Sequence, residues 1–521
     1  MKIFLLTLAL VAVGGAQPAS AATRPVVGER VTVAQGALRG VDDGSVVAFR
    51  NVPYAAPPVG DRRWAPPGKP GSWSGERDAT APGNRCPQPA GTGAVIGSED
   101  CLTLSVHTPS GTPRNAKRPV LVWIHGGGFN TGGADETDPS DLVTEGGLVV
   151  VSINYRLAAL GFLSLPGLAD GGNFGLQDQQ AAMRWVRDNI RAFGGDPGRV
   201  TLYGVSAGGD SVCSHLAAPG SAGLFHRAIL GSAACNDTIN LDVLVPGISV
   251  YGDTWKSAPV NEGIGSTFAA QQGCTDPATA LACLRALPAS AVAGSAAFYF
   301  SPTIGTATLP VRPSEAIRAG SAADVPVLAG IVRDEGLLFV AGAYGANPLD
   351  AARFEAQVRT VAGPGADEVK AAYPLDGRTP NRVYADVYTD RAYACPNLET
   401  YRALGDRLWA YEFAEPDAPP FRFDPPADLA GGTPHGSDIP FLLTYPAEQP
   451  DLTPAQERLG KRMRAYWAAF AATGVPRAAG APYWPRFGDH GRVLDLRSRG
   501  TAVESGRDYT RRHRCAAWSP T

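Results

Sequence analysis

The chain has 521 residues, 44% of them apolar and 18% charged, which describes a globular protein with a large core and excludes a disordered one. A net charge of −3 leaves no electrostatic footprint for nucleic acid. The length allows two or three ordinary domains, although α/β folds also run this long as a single unit.

The chain opens with a positive charge at Lys2, an apolar run from Ile3 to Val13, and the small residues Ala19-Ser20-Ala21. Residues 1–21 therefore read as a secretory signal peptide, too short for a stable membrane span, and residues 22–521 as the exported protein. No later apolar run is long enough to cross a membrane, so a secreted, extracellular protein is expected.

Arg30 to Val33 and Ser45 to Phe49 alternate as strands, with turns at Gly36 and at Asp42-Asp43-Gly44. Pro53 to Pro70 is rich in Pro and Gly and reads as an irregular surface crossing. Leu102 to Val106 returns to strand. Pro119–Ile124 and Leu148–Ile153 are continuous apolar runs, the pattern of central strands buried on both faces. Leu176 to Ala192 has helical spacing, with Met183, Val186 and Ile190 on one face.

After the turn Asp196-Pro197-Gly198 come a strand over Arg199–Tyr203 and a helix over Gly209–Ala218. Val325–Val332 is another central strand, with Pro326 near its start where it is tolerated. Leu408–Phe413 and Arg492–Leu496 read as strands, and Gln456–Ala472 as an amphipathic helix ended by Gly474 and Pro476. No internal repeat or long linker appears. Strand–helix alternation of this kind predicts an α/β fold in one domain: a large, mixed, mainly parallel sheet with helices on both faces.

In an exported chain the eight cysteines become disulfide material. Local spacing pairs Cys86 with Cys101 and Cys274 with Cys283, and closing the first loop contributes about 3 kcal/mol on the chain-entropy account. For Cys213 and Cys235 the sequence leaves two states open: buried free thiols, the commoner state in a core helix, or a further pair. The dense basic cluster Arg511-Arg512-His513-Arg514 reads as a solvated patch.

The chemistry centres on Phe193 to Gly209, FGGDPGRVTLYGVSAGG. A strand that runs directly into a helix through Gly204-Val205-Ser206-Ala207-Gly208 is a nucleophile elbow. The turn is so tight that side chains two positions either side of the serine would collide, so glycine stands there. A serine hydroxyl needs a base to take its proton and donors for the oxyanion it creates. Donors are offered by His125-Gly126-Gly127-Gly128-Phe129, at the end of the Pro119–Ile124 strand, together with the N–H of Ala207. No G-K-[ST] follows these glycines, so they do not read as a phosphate cradle.

In a fold of this kind the order along the chain is serine, acid, histidine, which removes His107 and His125. His215 and His226 follow Ser206 too closely to leave room for an acid. Of His435, His490 and His513, the first is preferred, because Gly431-Gly432-Thr433-Pro434-His435-Gly436 is a loop at the edge of a rigid scaffold. The acid is expected at the end of the Val325–Val332 strand, where Asp334 and Glu335 are chemically equivalent choices.

Together these segments resemble the type-B carboxylesterase and cholinesterase family of α/β-hydrolases over nearly the whole mature chain. Phe193–Gly208 is similar to that family's nucleophile signature, and Glu99-Asp100-Cys101-Leu102-Thr103-Leu104-Ser105-Val106 to its second signature. The resemblance implies Glu335 as the acid, His435 as the base, and Gly127 and Gly128 as oxyanion donors. It also implies ion pairs Arg63–Glu99 and Arg156–Asp178, and a further disulfide between Cys395 and Cys515. The chain departs from the cholinesterases between Cys86 and Cys101, where the interval is short and holds no aromatic residue for a choline cation.

The expected function is therefore a serine carboxylic-ester hydrolase acting on a small-molecule ester through Ser206, Glu335 and His435, with no metal or organic cofactor. Two other readings stand beside it. One is a lipase, for which Ile239–Tyr251 would contribute to a lid or equally to a pocket wall; the other is a non-catalytic binding protein on the same fold. Phe298-Tyr299-Phe300 reads either as a wall on the acyl side or as ordinary core.

Overall fold

The structure, a computed structural model, describes residues 26–90, 93–236, 253–294, 298–420, 424–488 and 490–518. The signal-peptide reading of residues 1–21 and the lid reading of Ile239–Tyr251 lie outside the described residues.

An eleven-stranded sheet forms the centre. Its strands are β1 (Val41–Asp42), β2 (Val46–Pro53), β3 (Thr103–Pro109), β4 (Arg118–Ile124), β5 (Val149–Ile153), β6 (Gly195–Val205), β7 (Arg227–Gly231), β8 (Val327–Val332), β9 (Leu408–Phe413), β10 (Val493–Leu496) and β11 (Ala502–Glu504). The order across the sheet is β11-β10-β9-β8-β7-β6-β4-β5-β3-β2-β1. β4 to β10 are parallel, and antiparallel strands close both edges. This is the α/β-hydrolase architecture, mixed and mainly parallel.

The central strands read as unbroken apolar runs because both faces are covered. Along β4, Val120, Val122 and Ile124 enter one core, while Leu121 and Trp123 enter a second on the opposite face. β5 divides likewise, with Val149, Val151 and Ile153 in the first core and Val150 in the second. Each such side chain, removed from water, stabilises by about 1.5–3 kcal/mol. On the first face lies helix α1 (Phe174–Asn189), whose Met183 and Val186 are fully buried. The second is covered by the helix Pro454–Thr473, whose N-terminus is closed by a reciprocal Thr453–Gln456 capping box and whose C-terminus is ended by Gly474 in the left-handed conformation.

Several local readings shift. The first hairpin turns at residues 34–35, and Gly36 instead opens the second strand, Gly36–Arg39. Helices at Ala258–Gln271, Ala351–Ala362, Pro380–Thr389 and Cys395–Leu404 were not among the elements read from the sequence.

The cysteines pair as Cys86–Cys101, Cys213–Cys235, Cys274–Cys283 and Cys395–Cys515. The second pair decides between the two states left open for Cys213 and Cys235: they are bonded to each other. Cys213 lies on the helix that follows Ser206, and Cys235 lies just beyond β7, the strand beside β6. The turn and the strand pairing bring their Cα atoms to 5.4 Å across 22 residues of chain. The implied ion pairs are also present: Arg63 meets Glu99 at 2.6 Å, and Arg156 meets the fully buried Asp178 at 2.7 Å.

Candidate active site

β6 delivers the chain to Ser206, and helix α2 (Ala207–Ala217) carries it away. Ser206 has φ 59° and ψ −130°, a conformation an L-residue adopts only under local constraint. The glycines around it are steric necessities. A Cβ on Gly204 would run into the backbone of Gly208, and one on Gly208 would run into the Ile124 carbonyl oxygen at the end of β4. The Ser206 N–H is tied to the Gly231 carbonyl of β7 at 3.0 Å.

The loop after β4 lies beside this turn, and a Cβ on Gly126 would stand 2.7 Å from the Val205 carbonyl oxygen. Gly127 and Gly128 both have positive φ, at 100° and 61°. The Gly127 carbonyl accepts the N–H groups of Asn130 and Thr131 at 3.0 and 3.1 Å. In a trans peptide this turns the Gly128 N–H to the opposite side. Neither the Gly127 nor the Gly128 N–H donates to another described residue. At the base of the loop the His125 ring stacks on Tyr155 with centroids 4.4 Å apart, and its Nδ1 bonds the Gly126 carbonyl at 2.9 Å. Burial lowers the His125 pKa, so the ring is neutral and donates from Nδ1.

Glu335 stands where β8 gives way to helix α3 (Gly336–Tyr344) and is fully buried. Its Oε1 accepts the Val332 N–H at 3.0 Å, and its Oε2 lies 2.5 Å from His435 Nδ1. The neighbouring carboxylate does something else. Asp334 Oδ2 accepts both the N–H and the hydroxyl of Thr433, at 2.8 and 2.9 Å, and so pins the loop that carries His435. The choice that residue chemistry left open is thus divided by geometry: Glu335 faces the imidazole and Asp334 holds its loop. Phe339 of α3 and Tyr393 flank the imidazole, with centroids 4.9 and 5.6 Å away.

Ser206, His435, Gly127 and Gly128 line one cavity of about 380 Å³, whose apolar walls are Leu338, Phe339, Ile439 and Tyr445. The aromatic trio divides. Phe298 and Phe300 pack on Phe268 at 5.6 and 5.3 Å between centroids, as core does, while the Tyr299 ring lies 4.0 Å from where a Cβ on Gly128 would stand. The other histidines lie elsewhere. His215 is buried between Gln179 and Ser221, and His513 between Asp390 and Glu412.

Sequence reasoning missed Asp438, fully buried on the same loop, three residues past His435. Burial, with the charge of Glu335, pushes its carboxyl up to about 7, and its Oδ2 accepts the Tyr411 hydroxyl at 3.4 Å. Among the described residues no cluster of three or more His, Cys, Asp and Glu could hold a metal ion.

A strained serine between obligatory glycines, a buried carboxylate on an imidazole and an adjacent loop of glycine amides are the kinds of group that an acyl transfer requires. The family model for the carboxylesterase family matches residues 28–518. The chain belongs to the carboxylesterase family. It is 33% identical over 492 residues to the para-nitrobenzyl esterase of Bacillus subtilis (strain 168), covering 89% of this chain and 94% of that one. It is 33% identical over 513 residues to the acylcarnitine hydrolase of Mus musculus, covering 91% and 88%. Against the pyrethroid hydrolase Ces2a of Mus musculus it is 34% identical over 473 residues, covering 84% and 81%. As a member of this family the protein is a carboxylesterase, an enzyme that hydrolyses small-molecule carboxylic esters. Among the described residues no helix is long and apolar enough to cross a membrane.

Proposed function

We propose that this carboxylesterase is secreted and works through an acyl-enzyme on Ser206, with His435 as general base and Glu335 as the acid that orients it. The observation that carries the reading is the 2.5 Å contact between His435 Nδ1 and Glu335, in a cavity that His435 shares with Ser206. The carboxylate accepts the Nδ1–H, which leaves Nε2 with its lone pair facing the cavity as the base.

Ser206 Oγ attacks the ester carbonyl carbon as its proton passes to His435 Nε2. The carbonyl oxygen takes the negative charge and rests on the N–H groups of Gly127, Gly128 and Ala207, each worth about 2.7–4 kcal/mol in the transition state. When the intermediate collapses, the bond to the alcohol oxygen breaks and the imidazolium gives that oxygen its proton. Water then attacks the acyl carbon, again losing a proton to His435. The acid departs and Ser206 recovers its hydrogen.

The walls supplied by Leu338, Phe339, Ile439 and Tyr445 suit apolar acyl or alcohol groups of modest size. Export of residues 22–521 after removal of residues 1–21 is supported by the apolar leader pattern and by the four disulfides. Initial rates on p-nitrophenyl acyl esters from acetate to palmitate test the substrate class. Highest kcat/KM on the short acyl chains is expected. A maximum at palmitate that appears only above its solubility limit would overturn the reading in favour of a lipase.

A further inference from the structure

Lys256 is 3% exposed, and the ester chemistry makes no use of it. Burial removes the hydration of its amine and lowers it from 10.5 to about 7, against the pull of Asp253. A buried amine persists where neighbours offset that loss. Two neighbours on one short segment do so here. Lys256 Nζ donates to the Ser301 hydroxyl at 2.6 Å and lies over the Tyr299 ring, 4.7 Å from its centre.

Both sides of this arrangement are braced. The preceding Trp255 is fully buried, and its Nε1 donates at 2.8 Å to Ser214 Oγ on α2, the helix that leaves Ser206. Lys256–Ser257 pairs in parallel with Thr303–Ile304. Asn261 Nδ2 donates to the Ser301 carbonyl at 3.2 Å and to Thr303 Oγ1 at 2.6 Å. Asn173, at the N-terminus of α1, accepts the Thr303 N–H at 3.1 Å and donates to the Thr303 carbonyl at 2.8 Å. Tyr299 lies two residues before Ser301, and the edge of its ring, at Cε2, stands 4.0 Å from where a Cβ on Gly128 would be.

We propose that Lys256 is a positioning residue for substrate selection: anchored on Ser301, it holds the Tyr299 ring against the Gly127–Gly128 loop and so narrows the space for the group attached to the ester carbonyl. The ammonium attracts the face of the ring while the edge of the ring meets the glycine loop, so one contact sets the other. The inference rests on the Ser206 reading and goes beyond it. It assigns a size limit to a side chain that is not among the residues lining the catalytic cavity.

Rates on p-nitrophenyl acetate and p-nitrophenyl pivalate at pH 6, where the amine carries its charge, test it. Lys256→Met keeps the length of the side chain without the charge. In that variant the ratio of kcat/KM on pivalate to that on acetate is expected to rise about tenfold, through KM for pivalate, the low end of what a methylene-sized change is worth. Ser301→Ala, a smaller change that removes the anchor, should move the ratio in the same direction. Tyr299→Leu should raise it as far as Lys256→Met does, and the double variant K256M/Y299L no further. A merely structural role would lower kcat on both esters alike and leave the ratio where it was. An unchanged ratio in K256M and S301A, or full additivity with Y299L, would overturn the proposal. Activity persisting in Ser206→Ala would fail the serine reading and this inference with it, whereas an unchanged ratio beside an inactive Ser206→Ala fails this inference alone.

Discussion

Glu335 Oε2 and His435 Nδ1 meet at 2.5 Å although 100 residues separate them in the chain. Two unrelated pieces of backbone make this contact. β8 ends at Val332, whose N–H fixes the other carboxylate oxygen, and the Thr433–Gly436 loop is anchored to Asp334. Neighbouring acidic residues thus divide the work of presenting the imidazole.

Replacing the acid by its amide separates charge from shape. In E335Q the side chain keeps its volume, but its NH2 group can donate to Nδ1 and favour the wrong tautomer. A fall in kcat of about 10³–10⁴-fold is expected, the size typical of this change in a serine triad, with KM nearly unchanged. Stopped assays on p-nitrophenyl acetate, with a thermal melt to verify folding, check it.

The glycines of the site are expected to behave unequally. Gly208→Ala drives a methyl group into the Ile124 carbonyl, which is backbone and cannot yield. Gly128→Ala meets only the Tyr299 ring at 4.0 Å and keeps a φ of 61° that costs alanine about 1–2 kcal/mol. G128A should therefore express as folded protein with a modestly lowered Tm, and G208A should lose more than about 3 kcal/mol or fail to fold. Denaturant melts of both variants distinguish the two cases.

His513 carries a stability that depends on pH. Burial works against its charged form, but the carboxylates of Asp390 and Glu412, each at 2.6 Å, outweigh burial and raise its pKa from 6.5 to about 10. A raised pKa means that the folded state holds the proton longer than the unfolded chain does. Its contribution is complete below pH 6.5 and is lost as pH climbs through 10. Within that window stability should fall by up to about 1.4 kcal/mol per pH unit. Asp390→Asn, which removes one of the two carboxylates, should move the fall to lower pH. Urea midpoints measured from pH 6 upward in both proteins would show it, and identical limbs would count against the network.

How much of this was legible in the sequence follows from whether a signal is local. The elbow could be read because strand, glycines and Ser206 lie within one stretch whose geometry depends only on its neighbours. The apolar runs of β4, β5 and β8 announced central strands because burial on both faces leaves no alternation. Cys213–Cys235 was not legible, since their approach depends on β6 and β7 lying side by side. His513 also looked like part of a solvated run. Its burial follows from the Cys395–Cys515 bond, which draws the chain terminus against β9, where Glu412 awaits it. The helices from Ala258 to Leu404 were missed because their apolar stripes are short: Ala351–Ala362, for example, buries Phe354 and Val358 alone.

The most direct test of the central claim is covalent. Wild type and Ser206→Ala should be treated with diethyl p-nitrophenyl phosphate, which transfers a diethylphosphoryl group to an activated serine, and then mapped by peptide mass spectrometry alongside an ester assay. The account predicts one label per chain, on the peptide containing Ser206, with esterase activity lost in step with labelling. S206A should be folded, unlabelled and inactive. A stoichiometric label on another residue, or esterase activity retained in S206A, would contradict it.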